Sequence, residues 1–302
     1  MASGGNRSIC GLLIQDVIPV NDTAAFINDA VLAAVNAPLC VFAFLSNLVA
    51  IVAVIKTPSL HKPSTILLCG LALADCLTGV ISQPLFIARR LMIHRARISC
   101  DYQLELYVLH RFFLRLFCFW SFANLTVMSF DRQYALSKPL QYRANVGNID
   151  AVKKVAFAGV SVALFVVPTE FVLSSNPLVV PHVIFAVFFI LAPIINYARM
   201  LISIRQHRNQ VIDAVASNQQ QAVILRREKK VAFDMFIVSI HNLLTATGPL
   251  ILFKALESYT FHIYRYLFPW IISMTLMRAS VNPIIYIWRD KELRNAMKSR
   301  LL

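Results

Sequence analysis

Charge is what this chain has least of. Of its 302 residues only 15% are Asp, Glu, Lys or Arg, against 58% that are hydrophobic, and the mean hydropathy is +0.65. Soluble domains carry about a quarter charged residues and rarely exceed half apolar, so the composition excludes a disordered chain and argues against a soluble enzyme. Acidic residues are scarcest, 15 against 29 basic, for a formal net charge of +14. A basic balance can signal nucleic acid, yet no low-complexity basic tail or basic-aromatic module accompanies it. The cytoplasmic loops of a membrane protein account for the charge, and no nucleic-acid partner is expected. No CxxC pair exists among the six cysteines, so a zinc or redox site has no support, and no metal or cofactor is expected. Cys40, Cys69, Cys76 and Cys118 fall inside apolar stretches, where cysteine behaves as a small hydrophobe, and only Cys10 and Cys100 fall outside. HExxH, GxSxG and a phosphate-binding loop are all missing, which points away from an enzyme. No internal repeat or Gly/Ser-rich linker divides the chain.

What is present is a series of apolar stretches. A helical crossing needs about 20 to 25 residues, so the chain holds roughly seven crossings with short loops. Seven are read at 30–55, 64–88, 107–136, 151–173, 178–204, 231–256 and 264–288. The third is the least apolar, because His110, Arg111 and Arg115 occupy its first turns; it is kept because seven crossings give consistent sidedness. Pro84, Pro168, Pro193, Pro249 and Pro283 fall inside later stretches, as membrane bundles tolerate when neighbours satisfy the freed carbonyls. Residues 1–29 form a polar segment with glycosylation acceptor patterns at Asn6 and Asn21, which places it outside the cell. Asp29 before the first crossing, with Lys56 and Lys62 after it, agrees with that orientation. No charged leader with a cleavage site precedes the first crossing, which therefore inserts the chain itself. Residues 289–302 read as a short amphipathic helix on the inner leaflet, with Leu293, Met297 and Leu301 between Arg294, Lys298 and Arg300. The expectation is an all-α seven-transmembrane helix bundle over 30–288, flanked by 1–29 outside and 289–302 inside. Most of the +14 then lies on the cytoplasmic side, and the outer side is nearly neutral.

An ionisable side chain at membrane depth costs several kcal/mol unless paired or hydrated. Asp75 lies mid-span in a Leu-Ala-Leu-Ala-Asp run, Asp131 and Arg132 close the third crossing, and Arg278 lies deep in the seventh; Asn47, Asn124 and Asn282 add neutral polar groups. Asn47, the run ending at Asp75, Asp131-Arg132-Gln133, Tyr197 late in the fifth crossing, Pro249 in the sixth and Asn282-Pro283-Ile284-Ile285-Tyr286 in the seventh occur in order. Together they resemble the rhodopsin-like (class A) G protein-coupled receptors over about residues 30 to 300.

That resemblance implies a plasma-membrane receptor that passes extracellular ligand binding to a heterotrimeric G protein by opening its cytoplasmic face. Arg132 would pair with Asp131 at rest and swing toward the opened cavity on activation, with Tyr197 and Tyr286 closing around it. Such a switch needs two packings separated by a few kcal/mol. Asn282, Pro283 and Tyr286 belong to this activation set; Asn47, Asp75, Asn124 and Arg278 form a polar core. The G protein would meet Arg132, the second loop near Pro139 and Leu140, and the basic ends of the fifth and sixth crossings.

The chain also departs from the family. Thr247 stands where the switch tryptophan is usual and Leu243 where phenylalanine is, so the aromatic toggle is absent. Lys229 replaces the acidic partner many members place opposite Arg132, leaving Glu228 or Asp234 as substitutes. The fourth crossing has no tryptophan, and Pro193 lies about one turn late. Arg278 lies one turn from Asn282, in the region where the family holds sodium against the aspartate matching Asp75. A buried arginine needs an anion, so an Asp75 to Arg278 pair is expected in place of that ion. The fourth-to-fifth loop has no cysteine to tie it to the third crossing, which loosely resembles the melanocortin, lysophospholipid, cannabinoid and adenosine receptors; Cys10 and Cys100 could pair instead.

On the ligand side, Arg111 and Arg115 share one helix face near the pocket mouth and could grip a carboxylate or phosphate. Pairing with Asp101, Glu105 or Glu170 is the alternative. Leu114, Cys118 and Thr247 complete the expected pocket. Leu114 stands where amine receptors carry an aspartate, which disfavours a monoamine, and the seventh crossing has no lysine to hold retinal. Two other classes remain open. One is a receptor-like protein that binds without signalling; the other is a transporter or channel, which would show repeats or broken helices.

Overall fold

The structure, a computed structural model, describes residues 23–94, 100–171, 179–206, 233, 237, 240, 241, 244, 261–289 and 291–301. Every long element among them is a helix. In chain order they are α1 (Thr23–Lys56), α2 (Pro63–Leu77), α3 (Gln83–Met92), α4 (Cys100–Ser137), α5 (Pro139–Asn145), α6 (Asn148–Phe171), α7 (Val179–Gln206), α8 (Phe261–Arg289) and α9 (Lys291–Leu301). A wide π turn, Thr78–Ser82, joins α2 to α3, so the two make one crossing. Five helices are long and apolar enough to span a membrane: Thr23–Lys56, Pro63–Met92, Asp101–Ser137, Asn148–Glu170 and Tyr266–Trp288. The fifth crossing is α7, whose apolar stretch is Val187–Met200. Most of the sixth crossing, Leu243, Thr247 and Pro249 included, lies outside the described residues, as do Asn6, Cys10, Asn21, Glu228, Lys229, Asp234 and the side chain of Cys100.

The first helix begins at Thr23, seven residues ahead of the apolar stretch. Its added turns are amphipathic: Ala25, Asp29, Leu32 and Asn36 are buried at spacings of four, three and four, which puts them on one face. Asp29 is therefore an interior residue and not a loop charge. It accepts hydrogen bonds from Arg90 of α3 and contacts His94 Nε2 at 2.7 Å, tying the first crossing to the second.

Helix packing relies on small residues where backbones approach. A side chain on Gly79, in the π turn, would meet the backbone nitrogen of Phe44 at 2.8 Å, and Cys40 Sγ donates to the Gly79 carbonyl at 3.0 Å. Gly159 in α6 does the same for Trp120 of α4, whose indole would lie 3.1 Å from an added Cβ. The third crossing thus supplies the bulk at this contact, and the fourth yields the space.

Prolines inside α7 and α8 release carbonyls one turn earlier. Pro193 frees that of Phe189, which accepts from Thr126 Oγ1 at 3.1 Å. Pro283 frees that of Ala279, which accepts from Asn47 Nδ2 at 3.0 Å. The C-terminal helix α9 differs from a helix lying free on lipid. Leu293 and Met297 join the main apolar core beside Ala50, Ala53, Val54 and Tyr286, and Lys62 pairs with Glu292 at 2.8 Å. Packing that stripe against α1 removes its apolar surface from solvent.

Candidate functional site

Besides the Asp29 group, three clusters of charge lie within the helices among the described residues. The deepest joins α2, α4 and α8. Asp75 and Arg278 are sealed, their side chains 0% and 1% exposed, with Arg278 Nη1 3.2 Å from Asp75 Oδ1. Asn282 Nδ2 donates to Asp75 Oδ2 at 2.7 Å, and Arg278 Nη1 donates to Ser121 Oγ. The guanidinium also lies over the Phe122 ring, 5.4 Å from its centroid. The other two core asparagines bond outside this cluster: Tyr286 Oη donates to Asn47 Oδ1 at 2.5 Å, and Asn124 Nδ2 donates to the Trp120 carbonyl at 2.9 Å. A sodium ion does not fit these residues, because the arginine already supplies the positive charge facing Asp75.

The second cluster closes the C-terminal end of α4. Asp131 Oδ2 accepts from Arg132 Nη2 at 2.5 Å and from Tyr142 Oη at 2.9 Å, while Asp131 Oδ1 accepts from Lys154 Nζ at 2.9 Å. Arg132 Nη2 also donates to Tyr142 Oη at 2.8 Å. One carboxylate is therefore gripped from α4, from the short helix α5 and from α6. Tyr142 and Lys154 are absent from the sequence-level set. Lys154 reads there as one of two positive-inside lysines, and Tyr142 as a loop residue. Tyr197 is buried in α7 and Tyr286 in α8, so the two tyrosines flank the interior, with Tyr286 held by Asn47. Asn196, next to Tyr197, donates to Ser129 Oγ at 3.1 Å and pins α7 to α4 two residues before Asp131.

The third cluster lies toward the other end of α4. Arg111 Nη2 is 2.8 Å from Glu170 Oε2 and Arg115 pairs with Glu170 Oε1, with the carboxylate fully buried and each arginine about a third exposed. Glu170 thus takes the place that a ligand carboxylate would occupy between the arginines. Arg111 and Arg89 both lie over the Tyr107 ring, at 5.3 and 4.5 Å. Leu114 turns the other way, into an apolar group with Leu32, Phe86, Leu276 and Trp270, and Cys118 packs on the main core. Arg111 and Arg115 therefore do not share a cavity wall with Leu114. Around that apolar group, Asn36, Gln83 and His110 are buried with polar atoms left without a hydrogen bond. Buried polar atoms of this kind are found where a solvent or ligand group completes them.

The family described as 7 transmembrane receptor (rhodopsin family) matches residues 46–286. Olfactory receptor 4E2 of Mus musculus is 26% identical over 271 residues, 84% of this chain and 84% of that protein. Trace amine-associated receptor 9 of Homo sapiens is 25% identical over 296 residues, covering 87% and 83%. In fold, the chain resembles the crystal structure of squid rhodopsin with a TM-score of 0.75 at 15% identity, over 90% of this chain and 86% of that one.

Proposed function

The chain belongs to the seven-transmembrane receptor (rhodopsin) family, and from that premise we propose how its residues carry the activity. It is a multi-pass membrane protein with G protein-coupled receptor activity, in a family of receptors and not of enzymes. The observation that carries the proposal is the triple grip on Asp131. Arg132 held by Asp131 and Tyr142 is the resting lock. Ligand binding in the outer half lets α4, α5 and α6 part, and Arg132 then turns into the cytoplasmic cavity to meet the G protein. Tyr197 and Tyr286 close behind it, Tyr286 by leaving Asn47, while Asn282 and Pro283 provide the compliant segment of α8. A bistable element with few partners on each side is what a ligand can bias.

The protein lies in the plasma membrane with its N-terminus outside, Asn6 and Asn21 available for glycosylation and α9 inside. The heterotrimeric G protein meets Arg132, Pro139, Leu140 and the basic ends of the fifth and sixth crossings. A protonated amine is not the ligand we propose, because Leu114 and its apolar neighbours offer no anion. The ligand contacts Leu114, Cys118 and Thr247, reaching Asn36, Gln83 and His110 by hydrogen bonds. Glu170 fills the space between Arg111 and Arg115, so an anionic ligand reaches these guanidiniums only by displacing that carboxylate. The Asp75 to Arg278 pair takes the part of the family's sodium ion.

The test is G protein activation in cells expressing wild type and Arg132→Ala at matched surface level, read with an antibody to an N-terminal tag on intact cells. Basal and ligand-driven activation fall at least tenfold in the variant if the lock reading holds. Equal activation by both proteins overturns it. A receptor that binds without signalling would show no activation in either.

A further inference from the structure

A cleft of about 520 Å³ opens beside the lock, lined by Val127, Phe130, Gln133 and Tyr134 of α4, with Lys138, Lys154 and Asp131 at its rim. It faces outward from the bundle. Phe130 on its lip is 51% exposed, and Leu140 and Phe157 nearby are exposed as well. In a membrane-spanning bundle such apolar exposure looks onto lipid chains. The rim carries two lysines against one carboxylate. Lys154 spends its charge on Asp131, whereas the side chain of Lys138 is exposed and makes no hydrogen bond or ion pair among the described residues. An apolar trough at membrane depth, ending in uncompensated positive charge at the cytoplasmic face, matches an amphiphile with an anionic head and a hydrocarbon tail. The inner leaflet is rich in such molecules, and its potential concentrates them there.

We propose that this cleft binds an anionic glycerophospholipid of the inner leaflet, its phosphate between Lys138 and Lys154 and an acyl chain over Val127 and Phe130. This rests on the orientation and the lock described under the proposed function. The site has a consequence for that lock. A phosphate seated on Lys154 competes with Asp131 for the ammonium, leaving Asp131 to Arg132 and Tyr142 alone. Bound lipid therefore loosens the grip on α6 and raises basal coupling.

The experiment measures lipid binding first and signalling second. The full chain in detergent is titrated with dioleoylphosphatidylserine or dioleoylphosphatidylcholine, and bound lipid is counted by native mass spectrometry. Wild type prefers the serine lipid by about fivefold for each lysine engaged, and Lys138→Glu removes most of that preference. Lys138→Gln, a milder change in an exposed position, gives an intermediate value and guards against misfolding of the charge reversal. Equal binding of both lipids by wild type, or a preference indifferent to Lys138→Glu, overturns the site. In nanodiscs, basal nucleotide exchange on added G protein rises with phosphatidylserine for wild type more than for Lys138→Glu; a rise of equal size overturns the link to the lock. Arg132→Ala, run in parallel, separates this from the signalling proposal. Its lipid preference persists because Arg132 does not line the cleft, while its exchange is lost only if the lock reading is right.

Discussion

The pair at the core and the pair at the C-terminal end of α4 use the same two chemical groups and arrange them in opposite ways. Asp75 and Arg278 meet one to one, sealed from solvent, with neutral groups from Ser121 and Asn282 completing the shell. Asp131 is just as buried, but it is shared among Arg132, Tyr142 and Lys154, and the last of these is 36% exposed. A charge with one sealed partner has nowhere to go, since losing it leaves an uncompensated ion in a low-dielectric interior. Asp131 faces two cations, one of them reaching solvent, and can surrender that one and keep the other. On the proposed reading of Arg132, the number and exposure of the opposing cations, and not the presence of an ion pair, decide which is a strut and which is a switch.

The sharpest way to break this contrast is Asp75→Asn, which strands Arg278. A loss of about 3–5 kcal/mol is expected, read as a lower thermal midpoint of the solubilised receptor and reduced surface level. Adding Arg278→Met should restore most of the stability, because an apolar replacement of the whole pair removes the stranded charge. A single variant as stable as wild type would erase the distinction. Next comes Glu170→Gln, which leaves Arg111 and Arg115 facing each other. About 1–2 kcal/mol of stability should go, less than at the core because both arginines reach solvent. The smallest effect on stability and the clearest on signalling belongs to Tyr142→Phe. It deletes a hydroxyl bonded to both Asp131 and Arg132, worth about 1 kcal/mol to the resting state, so basal exchange rises about fivefold with the thermal midpoint little changed.

Much of this was readable from the chain. Long apolar stretches announced the bundle, and the few charges inside them marked Asp75, Asp131, Arg132 and Arg278, because lipid depth makes every such residue expensive. The one-turn spacing of Arg278 and Asn282 put the two on one helix face, and the resemblance to the receptor family implied that Asp75 lies opposite them. What stayed hidden was long-range partnership among ordinary residues. Tyr142 lies in a connecting helix with no periodic signal, and Lys154 looks like any lysine at a span end. Glu170 was visible as a lone acid in the upper fourth crossing, which singles it out, but not that it would engage both arginines. The exchange of bulk between Trp120 and Gly159 needs both helices at once; one sequence shows only that a tryptophan is missing from one of them.

The wide turn at Thr78–Ser82 has a consequence for how this crossing can vary. Each residue of a helix advances it by about 100°, so one residue too many in a turn resets the rotational phase of everything beyond it. Asp75 faces the core in the phase set by α2, and Gln83, Phe86 and Arg90 face it in the phase set by α3. The crossing is therefore two rods coupled by a collar, with Asp75 on one rod and Arg90, the partner of Asp29, on the other. Deleting a single residue from the collar would swing Arg90 toward lipid and strand Asp29, while leaving Asp75 where it is. The half beyond the collar can be re-aimed by a one-residue change without touching the half before it.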